Sequence, residues 1–434
     1  MQSPDRPART PTRNLAADYY RASGVVLIVL GHWLAGSVTY QDGRFGRENP
    51  LVDLPWTQWL TWIFQAVPVF FLVAGYAGAL SWLHRRDGEG FSRQDWLRRR
   101  LARVLGPTAV YVALVSLAVV ALQAWGAPAM VLEYAGWAIA MHLWFLAVYA
   151  VVVSLTPIAV AAHRCWGLRV PAMIAVVVAL VDAASYAGHV AYVGGLNYVL
   201  CWGLFYQLGI AWEEGRFGTR TAGLLGSGSV VVLLLLVRLG GYPVSMIGVP
   251  GQEVQNTNPP TVALMAFGCA QAGIAVFLSP WLNRALRTGF VRRILAVGNN
   301  NVMALYLWHM IPVVIVAIVA YPAGLLPQPT EGTAAWWLVR LEWVAILSVV
   351  VALELVVLWR WRRVFAAPLP TFAVPLPDRW GEPFLVIGAG MAAFALHLIA
   401  AAGFAPDGRY SWLAASLFAA GILLVAAKPK HSGG

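Results

Sequence analysis

Three residues near the start of the chain, Asp18, Arg21 and His32, combine types and spacing that could do acid–base chemistry. Arg21 and His32 are eleven residues apart. On an α-helix that separation is about 20° beyond three full turns, so both side chains share one face, about 16 Å apart along the axis. Asp18 precedes Arg21 by one turn, where it could neutralise the guanidinium. A histidine of near-neutral pKa is suited to general-base or nucleophilic work. An arginine on the same face could hold a phosphate or a developing oxyanion. A second group lies near residue 300, where Asn299, Tyr306 and His309 fall within an arc of about 90° on a helix, with Trp308 beside them. A third comprises His142, Trp144 and Tyr149, with His142 and Tyr149 seven residues apart. The three histidines could meet in one cavity, although their separation cannot be read from spacing. No carboxylates accompany them, so no metal is expected.

These residues need elements to carry them, and composition says what those are. Of 434 residues, 60% are hydrophobic and only 11% charged, less than half the charge of an ordinary soluble domain at roughly 25%. Hydrophobic spans are read at 22–40, 56–83, 104–125, 137–161, 170–190, 195–212, 221–241, 261–283, 297–321, 336–359, 385–404 and 411–427. Each is of the length that crosses about 30 Å of hydrocarbon as a helix, the form that leaves no backbone group unpaired in lipid. The expected fold is therefore an all-α, polytopic integral membrane bundle. It has a ten-helix domain over 15–365, a Pro-rich linker over 366–383 and two further helices with a short basic tail over 384–434. Ionisable groups within spans are functional candidates, because burying them in a membrane is costly.

The net charge of +11 does not point to nucleic acid, because the cations are spread over alternate loops. Twenty-four Lys and Arg fall in the N-terminal tail (1–14), the even-numbered loops and the C-terminus. The odd-numbered loops hold Arg44, Arg47 and Arg409. This asymmetry predicts that both termini are cytoplasmic. Arg6, Arg9 and Arg13 precede a span that lacks a small-residue cleavage site, which reads as a retained helix. The only lysines are Lys428 and Lys430, which excludes a P-loop nucleotide site. Cys165, Cys201 and Cys269 form no metal or redox motif.

The order of several short motifs resembles the acyltransferase-3 membrane family. The opening Arg13-x4-Asp18-x2-Arg21-x10-His32 is similar to that family's first helix, with Arg followed by His. Pro68-Val-Phe70-Phe71-Leu-Val-Ala74-Gly75-Tyr76 resembles its second-helix motif, with Ala74 in place of the usual serine. Arg99-Arg100-Leu-Ala-Arg103-Val-Leu-Gly-Pro107 resembles its basic loop. His142-Leu-Trp144-Phe145-Leu146 and Leu305-Tyr306-Leu-Trp308-His309 match two further elements. The resemblance covers about residues 13–365 and leaves out the last two helices.

The resemblance implies transfer of an acyl group, most commonly acetyl from acetyl-CoA, to an envelope carbohydrate, a lipid-linked sugar or an exported small molecule. It makes His32 the catalytic residue and Arg21 its partner, with Asp18 beside them. Arg99, Arg100 and Arg103 become the binding site for the phosphates of acyl-CoA, or else serve only as topology signals. His142, Trp144, Asn299, Tyr306, Trp308 and His309 become acceptor-binding or supporting residues. The expected setting is the inner (plasma) membrane, with no metal and no nucleic-acid partner. Trp56, Trp59, Trp62, Trp137, Trp336 and Trp337 lie near the outward ends of spans, as a lipid-interface belt or a platform for sugar rings. The alternative is a twelve-helix proton-coupled secondary transporter or exporter. Against it stand the missing two-half symmetry and the ordered motifs.

Overall fold

The computed structural model describes residues 13–86, 90–186 and 188–429. The expectations for Arg6, Arg9 and Lys430 lie outside the described residues. The chain is nearly all helix. Its helices of ten or more residues are α1 (Leu15–Ala35), α2 (Val67–Arg86), α3 (Arg93–Ala124), α4 (Ala129–Ala138), α5 (Trp144–Ser154), α6 (Thr156–Trp166), α7 (Arg169–Tyr186) and α8 (Asn197–Glu213). They continue with α9 (Thr219–Leu239), α10 (Val262–Ala285), α11 (Gly289–Trp308), α12 (Ile311–Ala320), α13 (Ala334–Arg360), α14 (Gly381–Ala402) and α15 (Trp412–Ala426). Among the described residues, eight helical stretches are long and apolar enough to cross a membrane, or nine if the bent pair α11–α12 counts as one. This is a multi-pass membrane protein. All twelve expected spans fall on helices, but α8 has 17 residues and α15 has 15.

Three spans differ instructively from their sequence boundaries. The first starts seven residues early, at Leu15, because the Asn14 side chain accepts the Ala17 N–H and caps the helix. Arg21 therefore sits almost two turns inside α1, not at its boundary, and His32 lies in the last turn. The fourth breaks into α4, a 3-10 turn at Met141–Leu143, and α5, so His142 lies off the helix that carries Tyr149. The ninth bends by 53° between α11 and α12, where Pro312 opens the second half. That places His309 at a corner.

Glycine sets how closely the central helices approach. At the crossing of α2 and α8, a Cβ on Gly75 would collide with the Tyr206 carbonyl, and one on Gly209 with the Leu72 carbonyl. Small residues that let backbones touch are the usual means of packing helices in lipid, where apolar burial supplies little drive. α1 packs against α2, α10 and α11, so the Arg21–His32 face meets the Asn299–His309 face. An antiparallel hairpin of β1 (Ser37–Gln41) and β2 (Arg44–Glu48), with Gln41 opposite Arg44, follows α1. It marks one end of the bundle; the arginine-rich start of α3 marks the other.

The last two helices form a tight pair in which Gly388 and Gly421 face each other. α14 lies along α5, the His142 turn and α3, with Leu385, Ala392, Leu396 and Ile399 buried. The Pro-rich linker supplies β3 (Phe372–Val374), which pairs in parallel with β4 (Ala427–Pro429).

Candidate active site

The site is built where α1 meets α11. Arg21 donates from Nε to Asn299 Oδ1 at 2.6 Å. Asn299 is held in turn, its amide donating to the Asp18 carbonyl at 3.0 Å and the Leu295 carbonyl at 2.8 Å. Asp18 pairs with Arg13 and stands 3.9 Å from Arg21 Nη2. Arg21 keeps 38% of its side chain exposed, so the cation is oriented without being enclosed.

Along the same face, His32 reaches His309. His32 Nδ1 lies 2.9 Å from His309 Nε2, with the rings stacked at 5.1 Å. His309 Nδ1 lies 2.8 Å from the Tyr306 carbonyl. A carbonyl only accepts, so Nδ1 of His309 carries the proton, and its neutral ring offers a lone pair at Nε2. His32 must then donate from Nδ1. This leaves His32 Nε2 unprotonated, the form a general base or nucleophile needs. His309 is fully buried and His32 only partly. Trp33, fully packed, donates its indole N–H to the His309 carbonyl at 2.9 Å.

His142 stacks edge-on to His309 with ring centres 5.0 Å apart. Its Nε2 lies 3.1 Å from the Leu307 carbonyl, and the Tyr306 hydroxyl donates to the His142 carbonyl. The three histidines that spacing could not relate therefore form a row, His32–His309–His142. Among the described residues no group of His, Cys, Asp and Glu is arranged to hold a metal.

Trp144 and Trp308 turn elsewhere. Trp144 packs on Phe145 and Trp202, and Trp308 on Tyr111 and Phe365. In the basic stretch, Arg99 and Arg103 are exposed and Arg100 half-buried.

Two contributors were not singled out by sequence reasoning. Trp33 looked like one more apolar residue of the span. Arg340 looked like a span-end cation. It is buried, and its Nη2 donates to the Leu34 carbonyl at 3.2 Å and the Gly36 carbonyl at 2.9 Å. A helix ending inside a bundle leaves carbonyls without partners, and a charged residue six positions into a span was the available signal.

No curated protein and no solved structure matches the chain. The family model described as an acyltransferase domain matches residues 14–359, which include Asp18, Arg21, His32, His142, Asn299, Tyr306 and His309. With the motif order, the membrane helices and that match in agreement, the chain belongs to the acyltransferase-3 family of membrane acyltransferases.

Proposed function

We propose that this protein transfers an acyl group, with acetyl as the expected one, from cytoplasmic acyl-CoA to a hydroxyl at the inner (plasma) membrane. The acceptor is an envelope carbohydrate, a lipid-linked sugar or an exported small molecule. The observation that carries this reading is the His32–His309–Tyr306 hydrogen-bond series, which leaves a lone pair on His32 Nε2. That nitrogen takes the acceptor's proton as its oxygen attacks the thioester carbonyl. The C–S bond breaks, and the departing thiolate receives the proton. The imidazolium formed in between is shared with His309, as an orienting partner stabilises the cation of a catalytic histidine.

Arg21 serves the donor side. Its guanidinium is fixed by Asn299 and balanced by Asp18. Arg99, Arg100 and Arg103 carry the donor phosphates, and the pantetheine arm runs along α1 over the about 16 Å between Arg21 and His32. The nucleotide stays at the arginine-rich end while the acyl group reaches His32. The short hairpin-end loops require the acceptor to come to the membrane.

The test is transfer by purified protein in sealed vesicles, with donor supplied on one side. His32→Ala should abolish transfer and keep acyl-CoA binding, whereas Arg21→Ala should damage both. Robust transfer by the His32 variant would refute the mechanism. A rapid quench without acceptor separates a base from an acylated nucleophile, because only the latter leaves an acyl-imidazole.

A further inference from the structure

The arginine-rich start of α3 is held from behind by the end of the chain. Among the seven arginines of 85–103, Arg98 is the buried one, 3% exposed. Its Nη2 donates to the Ala427 carbonyl at 3.1 Å, and its Nη1 lies 3.6 Å from Asp95. Lys428 reaches the same Asp95 oxygen at 3.2 Å. Other attachments continue along the helix. Arg93 pairs with Glu382, and the Leu369 N–H donates to the Ala102 carbonyl at 2.9 Å. Gly106 leaves space that the Ala367–Leu369 backbone fills; a Cβ there would collide with it. The β3–β4 pair ties the linker to the C-terminal strand, so these contacts form one unit. The linker and C-terminal residues that make these contacts, Ala367–Leu369, Glu382, Ala427 and Lys428, all lie beyond residues 14–359, the part matched by the family.

Helix geometry turns Arg99, Arg100 and Arg103 away from the direction of Arg98. Taking Arg98 as zero, Arg99, Arg103 and Arg100 point about 100°, 140° and 200° around the axis. We propose that the C-terminal extension is a clasp that sets the rotation of the first turns of α3. Through Arg98 as positioning residue, it presents Arg99, Arg100 and Arg103 to the phosphates of the acyl donor. This inference rests on the reading of that row given under Proposed function. The start of a helix projecting past the bundle frays and pivots unless it is tied down. Asp95, Arg98, Ala102 and Gly106 lie within an arc of about 80°, and Arg93 is held separately at about 220°, so Arg99, Arg103 and Arg100 take the directions between them, where an anionic ligand can reach them.

The experiment varies acyl-CoA in steady-state transfer by reconstituted protein, with thermal unfolding followed in parallel. Arg98→Met, and separately a chain ending at Ala426, should each raise the donor KM by about tenfold, the size of one lost charge-assisted hydrogen bond, with kcat little changed. The two changes combined should do no more than either alone, since they break the same contact. Arg98→Lys should recover part of the loss. If the shortened chain does not fold, Arg98→Met and Arg98→Lys in the full chain decide the matter.

An unchanged donor KM in Arg98→Met, alongside a raised KM in Arg100→Ala, overturns the clasp and leaves the donor site standing. A loss confined to kcat or to melting temperature also overturns it. If Arg99→Ala, Arg100→Ala and Arg103→Ala all keep the wild-type donor KM, the donor site itself is refuted, and the clasp with it.

Discussion

Trp33 holds His309 by its backbone: the Trp33 indole donates to the His309 carbonyl at 2.9 Å, while the neighbouring residue, His32, bonds the His309 ring at 2.9 Å. The indole bond pins the corner between α11 and α12 to α1, which fixes the distance over which the two imidazoles interact. Trp33→Phe keeps an aromatic side chain and removes only the donor. It should lower kcat by about tenfold, the effect of a small displacement of an oriented group, while donor KM holds. Stability should fall by about 1 kcal/mol, one net hydrogen bond. Wild-type kcat in a variant with lowered melting temperature would reduce Trp33 to a packing role.

The tautomer argument yields a graded expectation at His309. Glutamine can place an acceptor oxygen near the position of Nε2, whereas alanine cannot. His309→Ala should lose about 100-fold or more in kcat, within the range attributed to positioned acid–base groups. His309→Gln should retain clearly more activity. Steady-state kinetics on the pair checks this, and equal losses would mean that His309 does not orient His32 by accepting its proton.

Periodicity was a good guide wherever one helix face mattered. The eleven-residue spacing placed Arg21 with His32, and the arc through Asn299, Tyr306 and His309 held the two residues that meet them, Asn299 on Arg21 and His309 on His32, while the Tyr306 hydroxyl reaches the His142 carbonyl. What spacing cannot contain is the choice of partner across helices. The His32–His309–His142 row depends on the bend after Trp308 and the break before Trp144, each set by tertiary packing. Nor does residue type separate Arg98 from Arg99, since one faces the C-terminal strand and the other is exposed. Helix ends were misplaced where a cap such as Asn14 extends a helix into polar sequence.

A pH dependence is expected at the hairpin end. Glu331, in the loop before α13, has its carboxyl pushed up to about 7, first by burial and then by the nearby charges of Asp53 and Glu48; its carboxyl also faces that of Asp53, and Arg340 opposes the rise. The unfolded chain would titrate this group near 4.3. A folded-state value above the unfolded one means the folded protein holds the proton more tightly. The contribution is therefore full below about pH 4.3 and is lost as pH rises through 7. Melting temperature of the wild type should fall across that window, with Glu331→Gln showing a flatter profile. Identical slopes for the two proteins would assign the dependence to other groups.

Arg340 links that end of the bundle to the helix that carries His32. It lies six residues into α13 and reaches the last carbonyls of α1, those of the half-buried Leu34 and of Gly36 just past the helix. The guanidinium supplies donors to Leu34 and Gly36, packs over the Trp336 ring at 4.8 Å, and places a cation at a helix C-terminus, where the dipole favours it. His32 is in that same last turn. Arg340→Ala leaves two carbonyls unpaired, at a cost of about 1–3 kcal/mol each if they stay dry. Loss of this brace lets the last turn loosen toward water, which moves His32 away from His309. Transfer should then show kcat reduced at least about tenfold with donor KM near wild type, because the arginine-rich end is untouched. Arg340→Lys, which keeps the charge but not the planar fork, should fall between the two. A variant that melts earlier yet turns over at the wild-type rate would separate the stability of α1 from the placement of His32.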